Sequence, residues 1–359
     1  MTEATVRHHL DQHNGRAPGF DAVRFFLATL IMGWHAFSIC YKGMLPVYLV
    51  VAGYSFAKPL LRFLIPAFFF LSGFLVAGSA LRLRSTKTFL TFRGLRIFPA
   101  LLVEVFLSAI LLGAAITTLP IQDYYSHPEF YSYFANIVGF VHFNLPGVFE
   151  HNNLTAVNIN LWTLPSEFYC YLILAGLMVS GIAFDRKKYA AVFLAGTLGL
   201  VVFFIFIRQW GAYVTHTVHQ SLFIYAFFIG VACFLFADKI PLRKTWFAAS
   251  LAGLWFFCWD QTTILGLLST CYVTLYLGFA NLKSLPVISR GDYSYGIYLY
   301  GFPIEQALWH YLPFVRGNWI MLFLIAFPTT LLFAALSWHL LEKPFLSLKN
   351  KIKPTAAGQ

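Results

Sequence analysis

The stretch FDAVRFFLATLIMGWHAFSICY, residues 20–41, decides the architecture. It is apolar apart from Asp21, Arg24, His35 and a few small polar side chains, and no proline interrupts it. A helix needs about 20 such residues to cross the hydrocarbon core of a bilayer. A run of this length therefore reads as a membrane span.

Composition carries the same reading outward. The chain is 59% hydrophobic and only 11% charged, whereas soluble domains average about 25% charged. Too few polar groups remain to cover a surface in water, so lipid is the main solvent. Forty Phe and nine Trp agree, because aromatic rings favour membrane interfaces. The sequence predicts an all-α, polytopic integral membrane protein of about ten transmembrane helices, at residues 20–41, 63–80, 97–119, 165–184, 189–207, 220–237, 246–259, 262–280, 292–312 and 318–340. The seventh is short, and Asp260 divides it from the eighth. Residues 43–62 are also apolar, but Pro46, Lys58, Pro59 and Arg62 predict an interfacial or re-entrant piece there.

The net charge of +11 is explained by topology and not by nucleic acid. With the amino terminus inside, all of the 25 Lys and Arg except Lys42, Lys58, Arg62, Arg208 and Arg316 fall in cytoplasmic segments. Lys and Arg concentrate in short cytoplasmic loops. Both termini are thus expected in the cytoplasm, with a tail at residues 1–19, a transmembrane domain at 20–345 and a second tail at 346–359. The first tail is polar and lacks the apolar core of a signal peptide. The five cysteines form no CxxC pair, and His8, His9 and His13 lie in that tail. No metal site or disulfide framework is predicted. The outer segment of about 120–160 is polar and aromatic.

Several polar residues stand where lipid disfavours them. Arg24 and His35 are eleven residues apart on the first span. At about 100° per residue they share a face, roughly 16 Å apart along the axis. An ionisable group in the bilayer usually faces a cavity or a partner; a histidine bonded to a neighbouring helix is the plainer alternative. Arg93 and Arg96 open the third span at i, i+3. Guanidinium groups bind phosphate through paired hydrogen bonds, although ordinary cytoplasmic anchoring also places arginines here. Glu167 follows Leu161-Trp-Thr-Leu-Pro-Ser at the outer start of the fourth span, where a carboxylate also suits the helix dipole. Ser72-Gly73 makes a small-residue notch. Asp292, Ser294 and Tyr295 lie on the ninth span, and Glu342-Lys343-Pro344 follows the tenth as a plain helix stop.

Taken in this order, these segments resemble the acyltransferase 3 family of membrane acyltransferases. The most specific matches are Arg24-x10-His35 after Phe20-Asp21, Arg93-x-x-Arg96-Ile-x-Pro99, and Leu161-Trp-Thr-Leu-x-x-Glu167. Ser72-Gly73-Phe74-Leu75, Tyr293-Ser-Tyr-Gly-Ile-Tyr-Leu299 and Glu342-Lys-Pro344 support them. The resemblance implies about ten core spans and transfer of acetyl or related short acyl groups to cell-surface carbohydrates, peptidoglycan or small molecules. It also implies functional roles for Arg24, His35, Arg93 and Arg96. Many relatives have a His before the proline of the ninth-span motif, whereas this chain has Gly301-Phe302-Pro303.

Topology and resemblance together predict that Arg93 and Arg96, with Arg24 nearby, hold the phosphates of acetyl-coenzyme A or another acyl-CoA at the cytoplasmic face. The thioester then reaches His35, which acts as general base or as a nucleophile forming acyl-histidine. Glu167 orients or charge-balances His35, or binds a sugar hydroxyl. Trp162, Ser294 and Tyr295 are the expected substrate contacts. The acceptor is a glycan or small-molecule hydroxyl, the partner surface is the bilayer, and the location is the bacterial inner membrane. A transporter or flippase with Arg, His and Glu lining its path is the competing reading.

Overall fold

The computed structural model describes residues 5–13, 15, 17–41, 47–209, 220–257, 264–280 and 290–351, with the backbone alone at 47–58, 207–209 and 350. Asp260, residues 43–46 and the end of the carboxy-terminal tail lie outside the described residues. Among the described residues the fold is helical, and one isolated bridge, Thr5 to Pro241, is its sole β pairing.

The helices that build the bundle are α1 (Val6–Gln12), α2 (Phe20–Tyr41), α3 (Val47–Leu83), α4 (Thr86–Phe106) and α5 (Leu164–Val179). They are followed by α6 (Arg186–Gln209), α7 (Gln220–Leu235), α8 (Lys244–Phe257), α9 (Ile264–Phe279), α10 (Ser294–Tyr311) and α11 (Trp319–Ser337). Each of the ten expected spans contains a helix. Six helical stretches are long and apolar enough to cross a membrane: Phe20–Tyr41, Pro59–Leu83, Thr86–Ile116, Ile159–Val179, Arg186–Phe206 and Trp319–Ser347. Helices α7 and α9 are apolar but shorter.

Two local expectations change. Residues 47–62 are no separate re-entrant piece; they run into α3 as one helix to Leu83, with Pro59 and Pro66 inside it. A proline removes one helical hydrogen bond, and in lipid the remaining backbone groups still have no better partner than their own helix. The amino-terminal segment is also more than a tail. Val6 and Leu10, at i, i+4, are 0% and 2% exposed, and α1 is docked by hydrogen bonds from Val6 N to Ile240 O and from Arg7 N to Ala237 O, both 2.9 Å.

The core centres on α3, which lies closely against α7. A Cβ at Gly73 would collide with the Phe227 carbonyl, and one at Gly230 with the Phe70 carbonyl. Each glycine thus admits the backbone of the other helix, and the notch seen in the sequence is a packing device.

Polar side chains then repair helix irregularities. Pro303 cannot donate to the carbonyl four residues back, at Leu299. Asn158 Nδ2 donates to that carbonyl at 2.9 Å, and Asn160 Nδ2 donates to Tyr298 O at 2.6 Å. Beyond α4, residues Leu107–Leu112 form a wider π turn. Its Ala109 and Ile110 carbonyls accept from the Tyr124 and Tyr125 hydroxyls at 2.6 and 3.1 Å. Asn153 Nδ2 caps α2 through the Ile39 and Cys40 carbonyls. The segment between α4 and α5 is therefore fastened to the helices it covers.

Candidate active site

A cavity lies within the bundle, with three arginines in its lining. It holds about 940 Å³ of empty space, its open mouth included. Its charged lining is Arg24 of α2, Arg93 and Arg96 of α4, and Glu167 of α5. Hydroxyls from Ser72, Thr163, Tyr171, Ser294, Tyr295 and Tyr298 join them, and Ile65, Phe68 and Phe69 of α3 supply apolar wall.

The arginines divide into two kinds. Arg24 Nη1 and Arg96 Nη2 both lie 2.6 Å from Asp292 Oδ2. Ser294 Oγ donates to the other oxygen of that carboxylate at 2.5 Å. Arg96 Nη1 also lies 2.7 Å from Glu342 Oε2, and its guanidinium lies 5.5 Å from the centroid of the Tyr295 ring and 5.7 Å from that of Trp338. These two cations are already neutralised. Arg93 differs: no carboxylate lies within ion-pair distance of it among the described residues, its buried Nε has no hydrogen-bond partner, and it rests over the Phe89 ring at 5.9 Å.

A fourth cation approaches from the carboxy-terminal segment. Lys349 Nζ lies 5.3 Å from the centroid of the Phe92 ring, beside Arg93 in the sequence. Burial, and then the positive charges of Arg93 and Arg96, push its ammonium down to about 8. Among the described residues no carboxylate lies within ion-pair distance of Arg93 or of Lys349 beside it, a setting that favours a phosphate-bearing ligand.

The expected site residues do not all meet. Arg24, Arg93, Arg96, Glu167, Ser294 and Tyr295 line the one cavity. Glu167 accepts a 2.5 Å hydrogen bond from Tyr171 and belongs with the arginines. Trp162 is not a lining residue; its ring packs edge-on against Phe223 at 5.3 Å. His35 also lies beyond the lining. Its imidazole meets Phe302 of α10 edge-on at 5.2 Å, with Nδ1 buried and without a partner. Phe302 is 1% exposed, so the imidazole faces the bundle interior. Tyr298, at the far end of the cavity, precedes Phe302 by one turn of α10, about 6 Å.

Three acidic residues gain roles that their sequence positions did not suggest, and a fourth is buried without one. Asp292 is the shared counter-ion of two arginines. Glu342, read as a plain helix stop, is 0% exposed and ion-paired. Glu104 accepts from Ser108 and Asn158, both at 2.8 Å. Glu305, three residues past Phe302, is 0% exposed with neither oxygen bonded. For Glu104 and Glu305 the available signal was a lone acid inside an apolar run.

Comparison with known proteins is consistent with this arrangement. An acyltransferase domain family model, that of the acyltransferase 3 group, matches residues 18–339. The chain is similar to an O-acetyl transferase of Shigella phage Sf6, 26% identical, with the alignment covering 91% of this chain and 96% of that protein. It is also similar to nodulation protein 10 of Rhizobium leguminosarum bv. viciae, 27% identical over 95% of this chain and 96% of that protein. No solved structure matches the chain. With the match taking in every residue that lines the cavity, this chain belongs to the acyltransferase 3 family and is an acyltransferase enzyme.

Proposed function

We propose that the protein moves an acetyl or other short acyl group from cytoplasmic acyl-CoA to a hydroxyl of a cell-surface carbohydrate or related acceptor. The protein lies in a bacterial inner membrane with ten spans and both termini in the cytoplasm; the placement of Lys and Arg supports that orientation. Acyl-CoA enters from the basic end. Arg93 and Lys349 bind its phosphates, while Arg24 and Arg96, tied to Asp292 and Glu342, shape the mouth. The thin pantetheine arm follows the cavity toward Tyr298. His35 is the general base: it takes the proton of the acceptor hydroxyl as the oxygen attacks the thioester carbonyl.

The observation that carries this reading is the cavity itself. It is lined by Arg93, a half-buried cation with no carboxylate within ion-pair distance among the described residues, and ends one helical turn short of the residue that contacts His35. Membership of an acyltransferase family favours group transfer over a transport path lined by the same residues. The test is to incubate the purified, membrane-reconstituted protein with radiolabelled acetyl-CoA and a hydroxyl acceptor. Thiol release coupled to label transfer is expected; movement of a solute without consumption of acetyl-CoA would instead select the transporter reading.

A further inference from the structure

The hydroxyls around the cavity are not equally free to act. Tyr295 donates to Ile97 O at 3.1 Å, Ser294 to Asp292 at 2.5 Å and Tyr171 to Glu167 at 2.5 Å. The exception lies at the far end. Tyr298 OH and Thr163 Oγ1 are 2.7 Å apart, and both reach the same acceptor, Asn160 O, at 3.1 and 3.3 Å. Three contacts share only two hydroxyl protons. Either hydroxyl alone satisfies the Asn160 carbonyl, so one proton is available for another acceptor at no loss to the buried backbone.

The position of this pair is fixed from several sides. Asn160 Nδ2 holds the Tyr298 carbonyl at 2.6 Å, and the Tyr298 ring packs on Phe68 with centroids 6.1 Å apart. Four residues further along α10, Phe302 touches His35. A carbonyl brought to the end of the cavity therefore meets Tyr298, one helical turn from the residue that contacts His35.

We propose that the Tyr298 hydroxyl is a catalytic residue, the hydrogen-bond donor that stabilises the oxyanion formed on the thioester carbonyl during acyl transfer. The assignment rests on the acyl-transfer reading above. In the step, the acceptor oxygen forms a bond to the carbonyl carbon and its proton passes to His35. The carbonyl electrons move onto oxygen, where Tyr298 donates its hydrogen bond, and Thr163 keeps the Asn160 carbonyl satisfied. The carbonyl then re-forms, the carbon–sulfur bond breaks, and the sulfur of coenzyme A leaves with the proton from His35. A donor held rigidly where charge develops is the arrangement that lowers such a barrier.

The test is steady-state kinetics of the full-length, reconstituted protein with acetyl-CoA. Tyr298→Phe should lower kcat about a hundredfold, with KM for acetyl-CoA and the thermal midpoint little changed. Thr163→Val, which obliges Tyr298 to serve Asn160, should lower kcat by a smaller factor. Site-specific replacement of Tyr298 by 3-fluorotyrosine keeps the hydrogen bonds and strengthens the donor; kcat should shift while KM does not. This variant also decides the matter if Tyr298→Phe does not fold. Wild-type kcat in either Tyr298 variant, or a raised KM at unchanged kcat, would overturn the assignment while leaving acyl transfer intact. An unaltered protein that consumes no acetyl-CoA would overturn both readings together.

Discussion

The Arg96 guanidinium lies 2.7 Å from the Glu342 carboxylate, which is 246 residues away in the sequence and fully buried. This pair fastens the end of the last membrane-length helix to α4 at the cavity mouth. Removing one partner of a buried ion pair strands the other and costs about 3–5 kcal/mol. Glu342→Ala should therefore lower the thermal midpoint markedly in detergent, whereas Arg96→Met with Glu342→Leu should recover much of the loss. A Glu342→Ala protein as stable as the original would show the pair to be idle.

Arg93 has no carboxylate within ion-pair distance among the described residues, and Glu167, which feels its charge from farther off, keeps Arg96, Arg24 and the Tyr171 hydroxyl when Arg93 is truncated. Arg93→Ala should retain the fold and the chemical step but lose a charge-assisted contact to phosphate, about 1.5–3 kcal/mol. That corresponds to a rise of about ten- to a hundredfold in KM for acyl-CoA, with kcat nearly unchanged. Measurement of both constants separates this outcome from a catalytic role.

Lys349 gives donor binding a pH signature. Its ammonium is pushed down to about 8 by burial and by Arg93 and Arg96. It is charged below that value and neutral above it, so phosphate binding should weaken as pH climbs through about 8. KM for acyl-CoA should rise between pH 7 and 9 in the unaltered protein. Lys349→Arg, which stays charged, should flatten the profile at low KM, and Lys349→Ala should flatten it at high KM. A rise that persists in both variants would assign the titration to another group.

Asn158 joins two buried groups, donating to Glu104 Oε1 at 2.8 Å and to the Leu299 carbonyl that Pro303 leaves open at 2.9 Å. Asn158→Leu should destabilise the fold by about 1–3 kcal/mol for each stranded acceptor. A melting curve reads this directly. A second substitution, Pro303→Ala, restores the helical donor and should return part of the stability.

Much of this was legible in the sequence because hydrophobic run length reports a spanning helix directly. Every expected span contains a helix, and Arg24, Arg93, Arg96, Glu167, Ser294 and Tyr295 line one cavity. Small-residue spacing also signalled the Gly73 notch, whose partner Gly230 did not stand out. Long-range pairing was not legible: nothing local to Glu342 shows that its partner is Arg96. Helix register likewise hid that Glu167 turns toward the arginines and that Trp162 packs on Phe223. The docking of α1 was missed because only Val6 and Leu10 carry it, too short a pattern to stand out from a polar tail.

The most direct test joins the two ends of the cavity in one variant. His35→Ala, purified and reconstituted, is assayed for acetyl-CoA binding and for transfer of the acetyl group to a hydroxyl acceptor. The account predicts unaltered donor affinity with transfer abolished, because the imidazole lies beyond the phosphate-binding mouth. Near-normal transfer by the well-folded variant would contradict the assignment of His35 as the base.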